Sequence, residues 1–267
     1  MSQASLDAAV HALVRNVAAE AILPYYRTLT AAQIESKAAD DVVTVADNLA
    51  EAMLTEGLRA IADVPVVGEE AAHADPSVFE RLAGDCWIVD PLDGTNNFAR
   101  GAPPFGILLA RAAGGETMSG WIYDPLSGRF CVAHRGKGAL IDGQPVRSRA
   151  SGAEPPIAAI SLVFVEQSRR EAIRRHIAPH YALVDIPRCA AEQYPRLALG
   201  VNDVSLFERT LPWDHAAGVM WLNEAGGKAA RPDGSLYRVD EWHRPGLIGA
   251  ATPALWETLA GRLGSLA

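Results

Sequence analysis

The sequence predicts a layered α/β fold, and three observations lead to it. Residues 4–28 and 45–62 carry apolar side chains at helical spacing. Residues 64–145 instead contain short apolar runs divided by Gly, Pro and Asp, which is typical of strands joined by turns. After residue 151, strand-like and helical segments alternate. We therefore expect helices and sheets to occupy separate layers.

Two amphipathic helices are predicted at the N-terminal end. Their apolar residues recur every three or four positions, so that each helix has one apolar face. Because both faces need to be buried, we expect the two helices to pack as a pair. The apolar positions are Leu6, Val10, Leu13, Val14 and Val17 in the first helix, and Leu49, Met53, Leu54, Leu58 and Ile61 in the second.

The strands of 64–145 are predicted from the runs VPVV, CWIV, GILLA, GWIY and FCVA. A polar segment at 147–156 separates this region from a strand-like AAISLVFV and a helical SRREAIRRHI. A strand-like YALVDIP and a second helical stretch follow. A later helix is predicted to start with Asp214 as its N-cap and to stop at the glycine pair 226–227.

Length and composition are those of a globular protein. The chain has 267 residues, of which 49% are hydrophobic and 21% charged, so it can bury a substantial core. We treat residues 1–267 as one domain with subregions at about 1–150 and about 151–267. Asp and Glu total 32 against 24 Lys and Arg, and the resulting net charge of −8 disfavours nucleic acid as a partner.

The cysteine pattern and the lack of long apolar runs predict a cytoplasmic protein with no membrane partner. The three cysteines lie far apart, form no CxxC pair and leave at least one unpaired. No window holds the roughly 18 uninterrupted apolar residues of a membrane helix. The N-terminus also lacks the pattern of a signal peptide. The cysteines are Cys86, Cys131 and Cys189.

The segment WIVDPLDGTNNF, residues 87–98, is the most informative stretch of the chain. An apolar strand runs directly into Asp90 and Asp93. Pro91 restrains the backbone and is expected to force a turn that directs both carboxylates toward one point. The carbonyl of Leu92 lies between them as a third possible oxygen ligand. Hard oxygen ligands at this density suit Mg²⁺.

Further polar residues are predicted to join this metal site. Gly94 and Thr95 follow directly and would begin a helical turn, where backbone N–H groups stabilise a phosphate. Glu69 and Glu70 follow the strand-like VPVV run, and Asp214 stands near a helix start. Separated carboxylates of this kind can hold two metal ions, which supply a nucleophilic water and charge relief for hydrolysis of a phosphate monoester. No GxxxxGKS or GxxxxGKT loop for a nucleoside triphosphate is present.

Three blocks resemble the signature motifs of the inositol monophosphatase family, part of the Mg²⁺-dependent, lithium-sensitive phosphatase superfamily. They are GEE at 68–70, DPLDGTNNF at 90–98 and WDHAAG at 213–218. The resemblance covers nearly the whole chain and implies an αβαβα sandwich of the sugar-phosphatase type, assembled as a homodimer. It also implies a phosphoric monoester hydrolase that binds two or three Mg²⁺ ions in each active site.

The resemblance implies a ligand set for the metal ions. Glu69, Asp90 and the Leu92 carbonyl would hold the first ion, and Asp90, Asp93 and Asp214 would hold the second. Glu69 is also counted among the catalytic residues, and Asp93 and Asp214 among those that contact the substrate.

Phosphate binding and water positioning are implied in the same way. Gly94 and Thr95 would bind the phosphate, while Thr95, Asp47 and Thr44 would position the attacking water. Lys37, in a mobile segment before the second helix, would lie near the site.

The substrate is left open by departures from the family pattern. Glu208 lies near the position of the family's substrate-hydroxyl acceptor, one residue closer to the Trp-Asp pair than expected. Arg188, Glu192 and Gln193 belong to RCAAEQY, which replaces a small GSAA-type stretch that lines the substrate pocket. An inositol-1-phosphate-like ester is the leading expectation. Histidinol phosphate, fructose 1,6-bisphosphate and adenosine 3′,5′-bisphosphate are the alternatives.

Simpler interpretations exist for several of these residues. DPLDG is also a favourable turn sequence, and Asp214 could act only as a helix cap. Lys37, Thr44 and Asp47 stand beside a helix start, where capping and solvation explain them equally well. His215 and His243 are expected to be structural. A non-catalytic binding or regulatory module is the alternative of another functional class.

Overall fold

The computed structural model describes residues 1–38 and 41–266. Within these residues the chain forms eight α-helices and fourteen β-strands, joined by short 3₁₀ and π turns. The helices are α1 (Gln3–Val17), α2 (Val45–Ile61), α3 (Glu69–Ala74), α4 (Thr95–Ala99), α5 (Gln167–His176), α6 (Ala190–Ala198), α7 (Pro212–Glu224) and α8 (Pro253–Gly264). The strands are β1 (Ile34–Ala38), β2 (Asp41–Thr44), β3 (Val66–Gly68), β4 (Asp85–Asp93), β5 (Gly106–Ala113), β6 (Glu116–Tyr123), β7 (Phe130–His134), β8 (Ala139–Ile141), β9 (Gln144–Val146), β10 (Ile157–Ile160), β11 (Ala182–Leu183), β12 (Val204–Phe207), β13 (Lys228–Ala230) and β14 (Leu247–Ala250).

The strands form two large sheets and one hairpin. The first sheet has seven strands in the order β3-β4-β5-β6-β7-β8-β9, and only its β3–β4 pair is parallel among the described strands. The second sheet has five strands in the order β11-β10-β12-β14-β13 and mixes parallel with antiparallel pairs. Strands β1 and β2 pair with each other in an antiparallel hairpin. The predicted strand-rich region therefore corresponds to the first sheet.

Apolar cores arrange these elements in five layers. Side chains alternate along β4, so that Trp87 and Val89 pack with α1 and α2, while Cys86 and Ile88 pack with α6 and α7. The second sheet contributes Leu247 of β14 to the core around α6 and α7, and its other face packs against α5 and α8. The order helices, sheet, helices, sheet, helices is the αβαβα sandwich that the resemblance implied.

The predicted helix pair is present, and one glycine sets its close approach. Helix α1 ends at Val17, and the chain continues through a π turn at Ala18–Ile22 and a 3₁₀ turn at Leu23–Tyr25. A Cβ atom on Gly57 of α2 would lie 2.4 Å from a methyl carbon of Leu13 in α1. A glycine at this position therefore lets the two helices pack closely.

The start of α7 differs from the prediction. The helix begins at Pro212 with Leu211 as its N-cap, so Asp214 lies in the first turn and is not the cap. Proline suits a first helical position because its φ is already helical and its missing N–H would have no intrahelical partner. The predicted end is confirmed, since α7 stops at Glu224 and Gly226 follows with a φ of +92°.

The segment before α2 was expected to be mobile, whereas the structure places Lys37 in β1. Strand β1 pairs with β2, for example at Glu35 and Val43. The strand predicted in AAISLVFV is also shorter than expected, because β10 ends at Ile160.

Two further structural features bear on the sequence expectations. No helix in residues 1–38 and 41–266 combines the length and the apolar character needed to cross a membrane. Cys86, Cys131 and Cys189 are all buried and unpaired.

Candidate active site

A cavity of about 260 Å³ lies where the end of β4 and the starts of α4 and α7 meet. Most of the residues predicted to act on a phosphate line it. Others lie behind its wall and contact lining residues directly or through one further side chain. The predicted lining residues are Glu69, Asp90, Asp93, Gly94, Thr95, Arg188, Glu208 and Asp214. Those behind the wall are Lys37, Thr44, Asp47 and Leu92.

Three carboxylates form the centre of the site. Asp90, Asp93 and Asp214 each contribute one carboxylate oxygen to a group in which these atoms lie within 4.8 Å of one another. The predicted turn at Pro91 is wrong, because β4 continues through Asp93. Instead, the register of β4 against β5 shifts between Asp90 and Asp93, where Pro91 has no N–H to give to the ladder. This irregularity and the first turn of α7 bring the three side chains together.

The carboxylate of Asp93 also anchors the other wall of the cavity. Its Oδ2 accepts a hydrogen bond from the backbone N–H of Ala191 at 2.6 Å. Gly94 has a φ of +86°, and a Cβ there would lie 2.8 Å from the Pro104 carbonyl oxygen and 3.3 Å from the Cβ of Cys189. Glycine is therefore required at the point where α4 begins.

Burial raises the pKa of two of these carboxyl groups, Asp90 and Asp93. Burial, reinforced by Asp214, raises the pKa of Asp93 to about 7. Burial and then the charges of Glu69 and Asp93 raise the pKa of Asp90 well above its ordinary value. A cation bound between the carboxylates would remove this mutual repulsion, so the cluster has the charge and the ligand chemistry of a cation site.

Glu69 begins α3 and lines the cavity beside this cluster. Its Oε1 lies 3.2 Å from the Nζ of Lys37, which lies 2.6 Å from Glu70. Burial alone would lower the pKa of Lys37, but the two glutamates outweigh it and raise that pKa. Among the described residues, the Glu69 carboxylate is outside the tight group of Asp90, Asp93 and Asp214.

A buried hydrogen-bond network connects the start of α2 to Thr95. The Oδ2 of Asp47 accepts from the backbone N–H of Thr44 at 2.8 Å and from its hydroxyl at 2.6 Å. The hydroxyl of Thr95 lies 3.0 Å from the Oδ1 of Asp47 and 2.9 Å from the carbonyl oxygen of Leu92, and it can donate to either. Burial raises the pKa of Asp47 to about 6. The hydrogen bonds by which Thr44 and Asp47 cap α2 therefore also fix the Asp47 carboxylate next to Thr95.

Glu51 is a functional residue that the sequence analysis missed. Its two carboxylate oxygens accept from the backbone N–H groups of Glu70 and Ala71, both at 2.8 Å, and so hold the first turn of α3 that carries Glu69. A Cβ on Gly68 would lie 2.4 Å from the Glu51 carboxylate. The sequence could have indicated Glu51, because this glutamate lies on the apolar face of α2, four positions after Asp47.

We expect Glu51→Gln to displace Glu69. An amide has only one acceptor oxygen, so one N–H of α3 would face the donor NH₂, and leaving such a buried group unpaired costs about 1–3 kcal/mol. The variant should lower the free energy of unfolding, measured by urea titration, and raise the metal concentration needed for half-maximal activity, measured by metal titration. Glu56→Gln, on an exposed position of α2, is the control and should change neither. Unchanged behaviour of Glu51→Gln would contradict this role.

The substrate wall contains some of the predicted residues and lacks others. Arg188, Gln193 and Glu208 line the cavity. Glu192 does not, because it pairs with Arg129 at 2.7 Å and with Arg196 at 2.8 Å. Glu192 therefore lies outside the lining of the cavity, although it belongs to the RCAAEQY segment that was expected to line the substrate pocket. Successive residues of a helix point in different directions, so Gln193 of α6 lines the cavity and its neighbour Glu192 does not.

The two histidines singled out in the sequence differ in position. His215 lines the cavity, but its Nδ1 lies 2.7 Å from the Tyr194 hydroxyl and its Nε2 lies 3.1 Å from the Arg209 carbonyl oxygen. Burial lowers its pKa to about 3, so it is neutral at physiological pH. His243 packs edge-on against Trp242 and does not line the cavity within the described residues. Both arrangements fit the expected structural roles.

The mouth of the cavity contains residues that no motif indicated. Val163 and Phe164 line it and are exposed, and the guanidinium of Arg209 lies 4.2 Å from the centre of the Phe164 ring. They follow β10 and β12 in the chain, so only pairing of these strands in the second sheet brings them to the site.

The acidic cluster predicts a pH dependence of stability in the metal-free protein. Asp93 binds its proton more tightly in the folded state, where its pKa is about 7, than in the unfolded chain, where it is 3.8. Its contribution to stability is therefore fully present below pH 3.8 and is lost as the pH rises through about 7. His215 acts in the opposite sense, because its pKa is lowered from 6.5, and its contribution is lost as the pH falls.

Comparison with Asp93→Asn separates these contributions. In EDTA, the Tm of the wild type should fall relative to that of the variant as the pH rises from 3.8 to about 7. Thermal denaturation at several pH values measures this difference. A difference in Tm that stays constant across the range would contradict the assignment to Asp93.

Known proteins are similar to this chain in sequence and in fold. A sequence profile described as "Inositol monophosphatase family" matches residues 2–265. The chain belongs to the inositol monophosphatase family. The chain is therefore a phosphatase of this family, and the resemblance of the three motif blocks is confirmed.

Relatives in the inositol monophosphatase family have several names. The chloroplastic phosphatase IMPL1 of Arabidopsis thaliana is 30% identical over 85% of this chain, and the match spans 63% of its own length. A fructose-1,6-bisphosphatase/inositol-1-monophosphatase of Thermotoga maritima is 30% identical over 70% of each chain. The Nus factor SuhB of Escherichia coli is 30% identical over 76% of each chain.

Solved structures of the family share the fold. An inositol monophosphatase of Thermotoga maritima has a TM-score of 0.78, with 24% identity over 96% of each chain. The SuhB protein of Bartonella henselae has a TM-score of 0.73, with 25% identity over 94% of this chain and 98% of its own. These similarities confirm the layered α/β fold.

Proposed function

We propose that the chain is a Mg²⁺-dependent phosphomonoesterase that hydrolyses a small phosphate monoester. The observation that carries this proposal is the group of Asp90, Asp93 and Asp214 oxygens within 4.8 Å of one another, at the wall of a cavity of about 260 Å³. Gly94 and Thr95, where α4 begins, line the same cavity. A cation site and a place for a phosphate therefore adjoin.

The residues present fit Mg²⁺. The donor set consists of carboxylates, with no cysteine or histidine in the group, and oxygen-only sets suit Mg²⁺. Asp90, Asp93 and Asp214 would hold one ion. Glu69, Asp90 and the Leu92 carbonyl would hold another, giving two or three ions in all. Mg²⁺ bound there supplies charge relief for the phosphate and lowers the pKa of water.

The protein's own residues orient the water and hold the substrate. The Asp47 carboxylate accepts a hydrogen bond from the Thr95 hydroxyl at 3.0 Å, and Thr44 fixes that carboxylate through two further hydrogen bonds. The Thr95 oxygen is then able to accept from a water molecule in the cavity. Lys37 holds Glu69 in place through their contact at 3.2 Å.

The substrate and the assembly are further parts of the proposal. An inositol-1-phosphate-like ester is the leading substrate, with histidinol phosphate, fructose 1,6-bisphosphate and adenosine 3′,5′-bisphosphate as alternatives. Glu208 would accept a substrate hydroxyl, since it lines the cavity and its Oε2 is buried without a hydrogen-bond partner among the described residues. We also propose a cytoplasmic homodimer with no nucleic-acid or membrane partner, which light scattering and cell fractionation test.

The test is phosphate release from these esters and from glycerol 2-phosphate, each with Mg²⁺ and with EDTA. We expect turnover only with Mg²⁺ and a clear preference for one ester. Hydrolysis that persists in EDTA would contradict the metal mechanism.

A second candidate is a binding or regulatory module. The relatives named Nus factor SuhB favour keeping it, because that name describes a factor and not a hydrolase. It predicts no turnover on any ester and a stoichiometric protein or RNA partner in a pull-down. The retained carboxylate set favours the enzyme.

A further inference from the structure

We propose that Arg188 and Gln193 form a second polar subsite that selects phosphate monoesters whose alcohol part carries another anionic group, a carboxylate or a second phosphate. This inference rests on the proposed phosphatase function and names the substrate class for it. Both residues line the cavity, on the wall built by the segment that leads into α6.

Arg188 has no ion-pair partner among the residues that the structure describes. Its side chain is partly buried at the cavity wall, and among residues 1–38 and 41–266 it forms no ion pair or side-chain hydrogen bond. Its backbone φ is +53°, in the left-handed region that an arginine adopts only at a cost in free energy. A partly buried arginine in an uncommon backbone conformation, at the wall of a cavity, is typical of a binding residue.

The backbone on both sides of Arg188 is fixed by the metal-binding block. The Nδ2 of Asn97 donates to the carbonyl oxygen of Pro187 at 2.9 Å. The N–H of Ala191 donates to the Oδ2 of Asp93 at 2.6 Å. Arg188 lies between these two anchors, so its position relative to the reacting phosphate is set by the same segment that holds the carboxylates.

Gln193 provides a second, independent observation. Its side chain is only 3% exposed, and its Nε2 donates to the Ser205 hydroxyl at 2.8 Å. Its Oε1 is buried and has no hydrogen-bond partner among the described residues. A buried amide oxygen without a donor is unfavourable, so a hydroxyl of the substrate is the group that would complete it.

The charges of the cavity indicate an anion for Arg188 beyond the reacting phosphate. In the proposed function, the reacting phosphate would be held at the carboxylate cluster, where a bound cation would relieve its charge, and beside Gly94 and Thr95. Glu208, the other acid on the substrate wall, forms no ion pair with Arg188 within residues 1–38 and 41–266, and its ion-pair partner there is Arg169 at 4.0 Å. A neutral alcohol part would leave the Arg188 guanidinium without an anionic partner, whereas an anionic group would form a charge-assisted hydrogen bond with it.

The experiment compares two matched pairs of esters. Glycerol 2-phosphate and 2-phosphoglycerate differ by a carboxylate, and fructose 1-phosphate and fructose 1,6-bisphosphate differ by a second phosphate. For each pair, kcat/KM of the anionic member is divided by that of the neutral member. The pair with the larger ratio identifies whether a carboxylate or a phosphate is preferred.

Arg188→Gly is the informative variant, because glycine adopts a positive φ freely and the protein should keep or raise its Tm. We expect the ratio to fall by roughly 10- to 100-fold, the size of one charge-assisted hydrogen bond. Arg27→Gly is the matched control, since Arg27 also has a positive φ, of 65°, but does not line the cavity within the described residues. That control should leave the ratio unchanged. Gln193→Leu should raise KM for both members of a pair by a similar factor.

The outcomes separate this inference from the proposed function. Equal losses on both members in Arg188→Gly, or wild-type ratios near one in both pairs, would overturn the anion subsite while the phosphatase stands. If the wild type hydrolyses no ester, the proposed function fails. Calorimetric binding of each pair to the wild type and to Arg188→Gly then decides the subsite alone, and equal affinities for the two members would refute it.

Discussion

Asp93→Asn is expected to abolish most Mg²⁺-dependent turnover while the fold is retained. Asparagine keeps the shape of the side chain and an oxygen that can accept the hydrogen bond of Ala191, now 2.6 Å from Asp93. It removes one of the three negative charges in the cluster. Changes to groups that merely support metal ligands typically cost 10–100-fold, so loss of a ligand charge should cost at least about 100-fold in kcat/KM.

The loss should be visible in binding as well as in turnover. Mg²⁺ should raise the Tm of the wild type and have little effect on the Tm of Asp93→Asn, because an ion that binds only the folded state stabilises it. The matched control is Asp203→Asn, a buried carboxylate away from the cavity that accepts from Ser151 and Ile157. That variant should lose stability and keep its response to Mg²⁺. Near-wild-type activity of Asp93→Asn would refute the cation site.

Gly218→Ala is expected to destabilise the protein strongly, although alanine is the better helix former. A Cβ on Gly218 of α7 would lie 1.9 Å from the ring of Tyr194 in α6. That ring is fully buried and is held by a hydrogen bond of 2.7 Å between its hydroxyl and His215, so it has little room to move. Overpacking typically costs about 1–3 kcal/mol and occasionally more. We expect about 2 kcal/mol or more to be lost, measured by urea denaturation.

Two comparisons show whether the ring causes the loss. Gly261→Ala, at an exposed helical position of α8 where a Cβ meets nothing within 4 Å, should raise stability by about 1 kcal/mol. In a Tyr194→Ala background the cost of Gly218→Ala should largely disappear, because the colliding ring is absent. Additive effects of the two substitutions would show that the contact with Tyr194 is not the cause. The glycine of WDHAAG thus has a packing role, four residues after Asp214 in α7.

The segment DPLDG, residues 90–94, was predictable because its residues are close in sequence. Asp90 and Asp93 lie three positions apart at the end of β4, and Gly94 has a backbone conformation that favours glycine. Local sequence therefore determines where these groups lie relative to one another. The capping pair Thr44 and Asp47 was equally accessible, since a capping box is read from residues three positions apart.

The residues that were missed or misplaced depend on contacts between distant segments. Glu51 accepts a hydrogen bond from the backbone of α3 at Glu70, 19 residues away, and no motif near Glu51 in the sequence indicates that contact. Glu192 and Gln193 are adjacent in sequence, but successive helical residues point in different directions, so one forms surface ion pairs and the other lines the cavity. Sequence spacing alone could not decide between them.

The amino-acid sequence alone was enough to predict the α/β class of the protein and the carboxylates Asp90, Asp93 and Asp214, whereas the order of the layers came from the resemblance to the family. The class and the carboxylates depend on hydrophobic periodicity and on motifs of a few residues, in which backbone geometry follows from neighbouring residues. Only the packing of the whole chain brings Asp214 of α7 to Asp90 and Asp93 and pairs Lys37 with Glu69. It also places Arg188 at the cavity wall, where no ion pair reaches it from the described part of the chain. Such contacts arise only when sheets and helices pack, because packing brings together side chains whose separation along the chain carries no information about their distance in space.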